Sequence, residues 1–269
     1  MLSVLCVTYS HENCCIVMES VYYAGTSGIL LPYKNKSYYP EKLQDKSRLA
    51  VCSLLFNSVE INSSFYHIPR AVTMLRWSHE VTDGFLFTFK LWKGITHAKG
   101  LAFEAADVAR FMEAIAAVGE KKGCLLIQLP PSAHFDALLP LNRLLETIVG
   151  LPQSKGWRIC VEFRHPSWYR AETMQLLDDY RFAMVLHDKN NKGINLQHTG
   201  ANFIYLRFHG PGGDYRGSYD DAFLQEYSAY IKEWLSDGKD VFVYFNNTMG
   251  AAIANLNTLS AYVIEGDVR

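Results

Sequence analysis

Eight times along this chain a short apolar run ends in a polar residue and gives way to a helical pattern. The runs are Val21–Thr26, Ser58–Ile61, Phe85–Leu91, Cys124–Leu129, Arg158–Phe163, Ala183–His187, Phe203–Phe208 and Val241–Phe245. Near-continuous apolar strands alternating with helices imply a parallel sheet covered on both faces, because parallel neighbours need a crossover and the crossover helix shields the sheet. Eight such units in 269 residues predict a single-domain α/β protein, a (β/α)8 TIM barrel. An open doubly wound sheet is the competitor. No Gly-x-Gly-x-x-Gly follows the first strand, which argues against its dinucleotide-binding form.

The helical stretches show their buried faces by spacing. Leu49, Cys52, Leu55 and Phe56 share one face, and Val72, Leu75 and Trp77 suggest a short second helix. The clearest stretch places Val108, Phe111, Met112, Ile115 and Val118 at helical intervals. Leu138 to Ile148, Met174 to Leu177, Phe223 to Trp234 and Ala252 to Val263 follow the same rule. Between the sixth and seventh strands the link is short and polar, so no full helix is expected there.

Composition mainly excludes. Hydrophobic residues make 49% of the chain, charged residues 20%, and the net charge is −1. Nothing global attracts nucleic acid or a membrane surface, so recognition of either must come from a local patch. The six cysteines form no Cys-x-x-Cys pair, and Cys52, Cys124 and Cys160 sit in apolar patterns as small hydrophobes. A reduced, cytoplasmic protein with no membrane span is expected. The first twenty residues hold no Lys or Arg, so the basic start of a signal peptide is missing. Residues 1–17 read as a poorly ordered extension, with the domain running over 18–269.

In a barrel of this kind active sites lie at the C-terminal strand ends. Those ends carry Thr26 and Ser27, Glu60 and Asn62, Lys90, Gln128, Glu162 and Arg164, Asp188, Arg207 and His209, and Asn246 and Asn247. Burying so many charges together is costly unless they pair or hold a ligand. Glu162, on the most apolar strand, is the leading general base or metal ligand, with Glu60 as the second carboxylate. Lys90 suits an oxyanion or phosphate: neighbouring carboxylates would keep it charged, whereas desolvation alone would lower its pKa. Arg164 and Arg207 fit bidentate recognition of phosphate or carboxylate. His209 reads as general base, metal ligand or plain loop hydrogen-bonder. A divalent metal would need Glu162, Asp188 and His209 to converge, and no tight motif supports that set. His97 and His165 read as structural. The bland alternative is a self-satisfied ion network capping the barrel.

Several ordered motifs carry a resemblance. Gly25-Thr26-Ser27-Gly28, Tyr39-Pro40, Glu60-Ile61-Asn62-Ser63-Ser64-Phe65-Tyr66, Gln128-Leu129-Pro130-Pro131-Ser132, Glu162-Phe163-Arg164-His165-Pro166-Ser167-Trp168, Arg207-Phe208-His209-Gly210 and Phe245-Asn246-Asn247 together resemble the YecE-like family, a domain of unknown function. The resemblance runs from about Tyr23 to the C-terminus and implies a TIM barrel with no established reaction. Ile29 departs from the aromatic usual after the first turn.

Two function classes follow from the residues. One is a hydrolase or lyase acting on a phosphorylated or nucleic-acid substrate. Glu162 would act there as base or metal ligand, Glu60 would assist, and Lys90 and the arginines would hold the phosphate. Thr26, Ser27, Asn62, Tyr66, Gln128, Asn246 and Asn247 would line the substrate. The other is a metal-free module that binds an anion or nucleic acid without chemistry. Its basic side chains would be interleaved with aromatic platforms such as Tyr66 and Trp92.

Overall fold

A computed structural model describes residues 20–189 and 193–265. Eight parallel strands form one ring. They are β1 (Tyr22–Thr26), β2 (Ser58–Ile61), β3 (Leu86–Lys90), β4 (Lys122–Gln128), β5 (Arg158–Glu162), β6 in two pieces (Ala183–Met184 and Leu186–His187), β7 (Phe203–Phe208) and β8 (Asp240–Phe245). The ring consists of two sheets. One runs β2-β3-β4-β5 and ends on the first piece of β6; the other runs β1-β8-β7 and ends on the second piece. The chain crosses between them at Val185, whose N–H donates to Val161 O at 2.9 Å.

The second seam lies between β1 and β2. Among the described residues a single bridge, Ser27 to Glu60, pairs them, with Gly28 N–H donating to Glu60 O at 2.7 Å. Below it the Asn57 side chain replaces the ladder, accepting from Ala24 N–H and donating to Tyr22 O, each at 2.8 Å. The two backbones come so close that a Cβ on Gly25 would lie 2.1 Å from Ser58 O. Only glycine allows the ring to close there.

Nine helices are described. The long ones are α1 (Arg48–Leu55), α3 (Ala71–Glu80), α5 (Ala105–Ala116), α6 (Leu138–Val149), α7 (Ala171–Tyr180), α8 (Asp221–Ser236) and α9 (Ala252–Glu265); α2 (Ser63–Tyr66) and α4 (Lys93–Thr96) are single turns at the rim. Side-chain caps start two of the long ones: Ser47 accepts from Ala50 N–H at 3.0 Å, and Asp220 from Phe223 N–H at 2.8 Å. The stripe expected on α5 is buried from Val108 to Ile115. As the short polar link requires, no helix joins β6 to β7 among the described residues. No helix among them is long and apolar enough to cross a membrane. Cys52, Cys124 and Cys160 are buried free thiols. The extension expected over residues 1–17 lies outside the described residues.

Alternate strand residues fill the barrel interior. Cys124, Leu126, Cys160, Ala183, Val185, Phe203, Tyr205, Phe242 and Tyr244 form one buried cluster, separate from the two that join strands to helices. Its floor is an Arg158–Asp240 ion pair at 2.5 Å. Above it the Tyr244 hydroxyl meets Ser58 Oγ at 2.5 Å and Thr88 Oγ1 at 2.8 Å. Upward from this polar layer the interior becomes charged.

Candidate functional site

The period-2 alternation that turns Ser58 and Tyr205 inward also turns Glu60 and Arg207 inward, two residues further up. Arg207, Glu60 and Glu162 are 1%, 0% and 0% exposed. One Arg207 amino group donates to Glu60 Oε1 at 2.7 Å and the other to Glu162 Oε2. Glu60 also accepts from Ser27 Oγ and Tyr205 Oη, both at 2.6 Å. Arg164 Nε donates to the remaining oxygen of Glu162. Burial pushes the Glu162 carboxyl up, but Arg164 and Arg207 outweigh it and hold it well below the usual carboxylate range. This pairing is what makes three buried charges tolerable.

His209 extends the network. Its Nδ1 lies 3.1 Å from Asp188 Oδ1, and its Nε2 faces Arg164 Nη2 at 3.2 Å and Arg207 Nη1 at 3.3 Å. A guanidinium can only donate, so Nε2 accepts and the proton sits on Nδ1. Burial and then Arg207 push the His209 pKa well down, so the ring is neutral and its contact with Asp188 is a hydrogen bond. Burial raises Asp188 to about 6, against the donors Tyr219 Oη and His209 N–H.

Lys90 behaves differently. It makes no ion pair with any described carboxylate; its Nζ instead lies 4.0 Å from the centroid of the Phe65 ring. Burial, then Arg207, lower its pKa to about 8 against the pull of Glu162 and Glu60. Around it the rim is basic and aromatic. Lys93 Nζ is 5.3 Å from the Tyr66 ring centroid. His97 is lowered to about 4 by burial, then by Lys90, Arg164 and Lys93. Asn62 has a buried Oδ1 with no hydrogen-bond partner.

The structure therefore gathers Ser27, Glu60, Glu162, Arg164, Arg207, Asp188 and His209 into one network and leaves Lys90, Asn62 and Tyr66 at the rim. The partners of these side chains bear on their expected roles. Arg207 is buried and spends both amino groups on the two carboxylates. Both Glu162 oxygens accept from arginines, and the lowered pKa makes it a weak base. Of the expected metal set, Glu162 is bound by arginines while Asp188 and His209 bond each other; among the described residues no three His, Cys, Asp or Glu side chains are grouped so as to hold a metal. The Thr26 hydroxyl closes its own turn by donating to Gly28 O at 2.7 Å. Asn247 ties the loop after β7 to α9, donating to Gly217 O and Asn255 Oδ1 at 3.1 Å each. Gln128, 7% exposed, donates to Leu129 O at 2.8 Å, and Asn246 is half-buried at the end of β8.

Tyr205, Tyr219, Trp92 and Lys93 also belong to the site. Tyr205 had a readable signal, because it lies two positions before Arg207 on one strand and so shares its face. Tyr219 sits in an irregular loop and had none.

A family model described as "Protein of unknown function DUF72" matches residues 23–266. The UPF0759 protein YunF of Bacillus subtilis is 25% identical over 251 residues, 81% of this chain and 87% of YunF. The UPF0759 protein YecE of Escherichia coli K12 is 30% identical over 124 residues, 46% of this chain and 44% of YecE. A crystal structure of a DUF72 family protein from Enterococcus faecalis V583 superposes with a TM-score of 0.74 at 19% identity, over 90% of this chain and 95% of that one.

Proposed function

The chain belongs to the DUF72 family, and on that premise we propose that its barrel mouth takes a phosphorylated or nucleic-acid substrate and acts on it as a hydrolase or lyase through Lys90. The family carries a fold and no reaction, so the reading rests on the site itself. One observation carries it: Lys90 is a half-enclosed ammonium with no described carboxylate partner, beside a network whose other charges are paired. An ammonium in that state has its electrostatic demand unmet, and a ligand phosphate would meet it. Its pKa of about 8 keeps it mostly charged at neutral pH and able to give up a proton near it, which suits general acid work on a leaving group. The paired arginines and carboxylates below would hold Lys90 in a fixed field rather than touch substrate.

A second reading has its own observation. Every oxygen of Glu60 and Glu162 already accepts a hydrogen bond, so neither carboxylate is free to act as a base. That favours a binding module without chemistry. The buried free thiols fit a reduced, cytoplasmic setting for either.

The test is titration of inorganic phosphate and a short single-stranded oligonucleotide against wild type and Lys90→Gln, beside a turnover screen of phosphodiesters and sugar phosphates. Binding weakened at least tenfold in Lys90→Gln supports the anion site, and turnover lost with it supports the enzyme. Equal binding by both proteins would refute the role of Lys90. Binding with no turnover would leave the module reading.

A further inference from the structure

Beside Lys90 the rim opens into a cleft of about 370 Å³ lined by Tyr66, Trp92, Lys93, Gly94, His97 and Ala98. That volume falls at the small end of ligand pockets, which run from about 300 Å³ upward. We propose that this cleft is a stacking subsite for a flat heteroaromatic ring, and that the ligand is a nucleotide unit whose phosphate lies at Lys90; the proposal rests on the anion reading of the mouth given above.

Three features of the cleft support a ring. First, its walls are rings that no neighbour fully covers. Tyr66 is 54% exposed, second only to Tyr38 among the large aromatic side chains of the described residues. Phe65 packs edge-on against both Tyr66 and His97, at 5.1 and 4.9 Å between centroids. Phe65 also carries Lys90 Nζ, 4.0 Å from its ring centroid, so one side chain stands between the ammonium and two of the residues that line the cleft. A ring seated against Tyr66 would have its attached phosphate within the reach of Lys90.

Second, the Trp92 wall is fixed by backbone. A Cβ on Gly94 would lie 2.5 Å from the Trp92 ring, so the indole rests across the bare Gly94 backbone and any larger residue would displace it. Stacking on a pre-set ring spares the ligand the entropy of ordering it.

Third, the polar groups of the cleft suit a neutral ring bearing an anion. Lys93 stands over the Tyr66 ring and adds a second cation for the phosphate. The Thr96 hydroxyl is 2.9 Å from His97 Nδ1 and 3.4 Å from Trp92 O. The carbonyl can only accept, so the hydroxyl proton goes to Trp92 O, Oγ1 accepts from His97 Nδ1–H, and Nε2 carries the lone pair. With its pKa lowered to about 4 the imidazole is neutral at physiological pH, and this Nε2 is an acceptor for a ring N–H or an exocyclic amino group. Base–aromatic stacking is worth enough to read by single substitution and tolerates any base, because every base has a π-face.

Adenosine 5′-monophosphate, ribose 5-phosphate and a ten-residue oligodeoxythymidylate would be titrated, following tryptophan fluorescence and heat. The proteins are wild type, Tyr66→Ala, Tyr66→Phe, Gly94→Ala and Lys90→Gln, each checked by thermal melting. The expected result is adenosine monophosphate binding at least tenfold tighter than ribose phosphate. Tyr66→Ala should remove that difference and leave ribose phosphate binding unchanged. Tyr66→Phe, which keeps the ring, should bind as wild type does. Oligonucleotide binding much tighter than the mononucleotide would assign the subsite to a strand, and equal binding per nucleotide would assign it to a free nucleotide. Equal affinity for the two monophosphates in wild type, an equal loss of both in Tyr66→Ala, or no binding of either nucleotide at millimolar concentration would overturn the proposal. If Lys90→Gln binds adenosine monophosphate as wild type does while Tyr66→Ala does not, the ring subsite stands and the anion reading of Lys90 falls.

Discussion

Lys90 and Arg207 bring the same charge into one barrel and end in different states. Arg207 meets two carboxylates and is held charged; Lys90 meets a phenyl ring and is partly discharged by burial. A lysine whose folded pKa lies below its unfolded one binds fewer protons folded than unfolded. It therefore costs stability at neutral pH, and that cost is relieved as pH rises through about 8 toward 10.5. Lys90→Met is expected to raise stability by about 1–2 kcal/mol, after discount for partial solvent contact, and to abolish phosphate binding. Urea midpoints and phosphate titration check the two halves. Arg207→Met should do the reverse. It leaves Glu60 and Glu162 buried without their common partner, at a cost of about 3–5 kcal/mol, seen as a lowered urea midpoint.

At the scale of elements, the weak place is where β1 meets β2. A Cβ on Gly25 would strike a backbone oxygen of β2, which cannot swing aside as a side chain can. Gly25→Ala should cost about 3 kcal/mol, and amide exchange should speed first at Ser27 and Gly28. The strands themselves were legible in the chain, because parallel barrel strands bury both faces and leave near-continuous apolar runs. The break at Val185 left no mark, since that valine is as apolar as its neighbours and only the pairing changes there. In the site, Glu60, Lys90, Glu162 and Arg207 could be read as strand ends. The chain admits an ion pair from Glu162 to Lys90 or Arg207 without choosing between them, and the second pair, from Arg207 to Glu60 across 147 positions, is encoded by no local pattern. Hence Arg164 and Arg207 read as ligand binders and as members of a self-satisfied ion network alike.

For the whole molecule, buried histidines and carboxylates set the response to acid, and His187, lowered by burial, acts with the same sign as His209. His209 is held neutral in the fold, so below about 6.5 the unfolded chain takes up a proton that the folded one refuses. Glu162, held ionised, adds the same sign below about 4.5. Asp188 opposes them, since its raised pKa lets the fold protonate first between 3.8 and about 6. The melting temperature is expected to fall as pH drops from 6.5 to 4, and the fall should be shallower in His209→Gln; thermal scans across that range check it. Arg207 also has a place in the order of assembly. It stands on β7, in one sheet, while Glu60 and Glu162 stand on β2 and β5, in the other. A chain that had built only the β2–β5 half would carry two sequestered anions with no counter-ion from β7. Half-barrels are thereby penalised as intermediates, and the two halves are pressed to form together in one cooperative step.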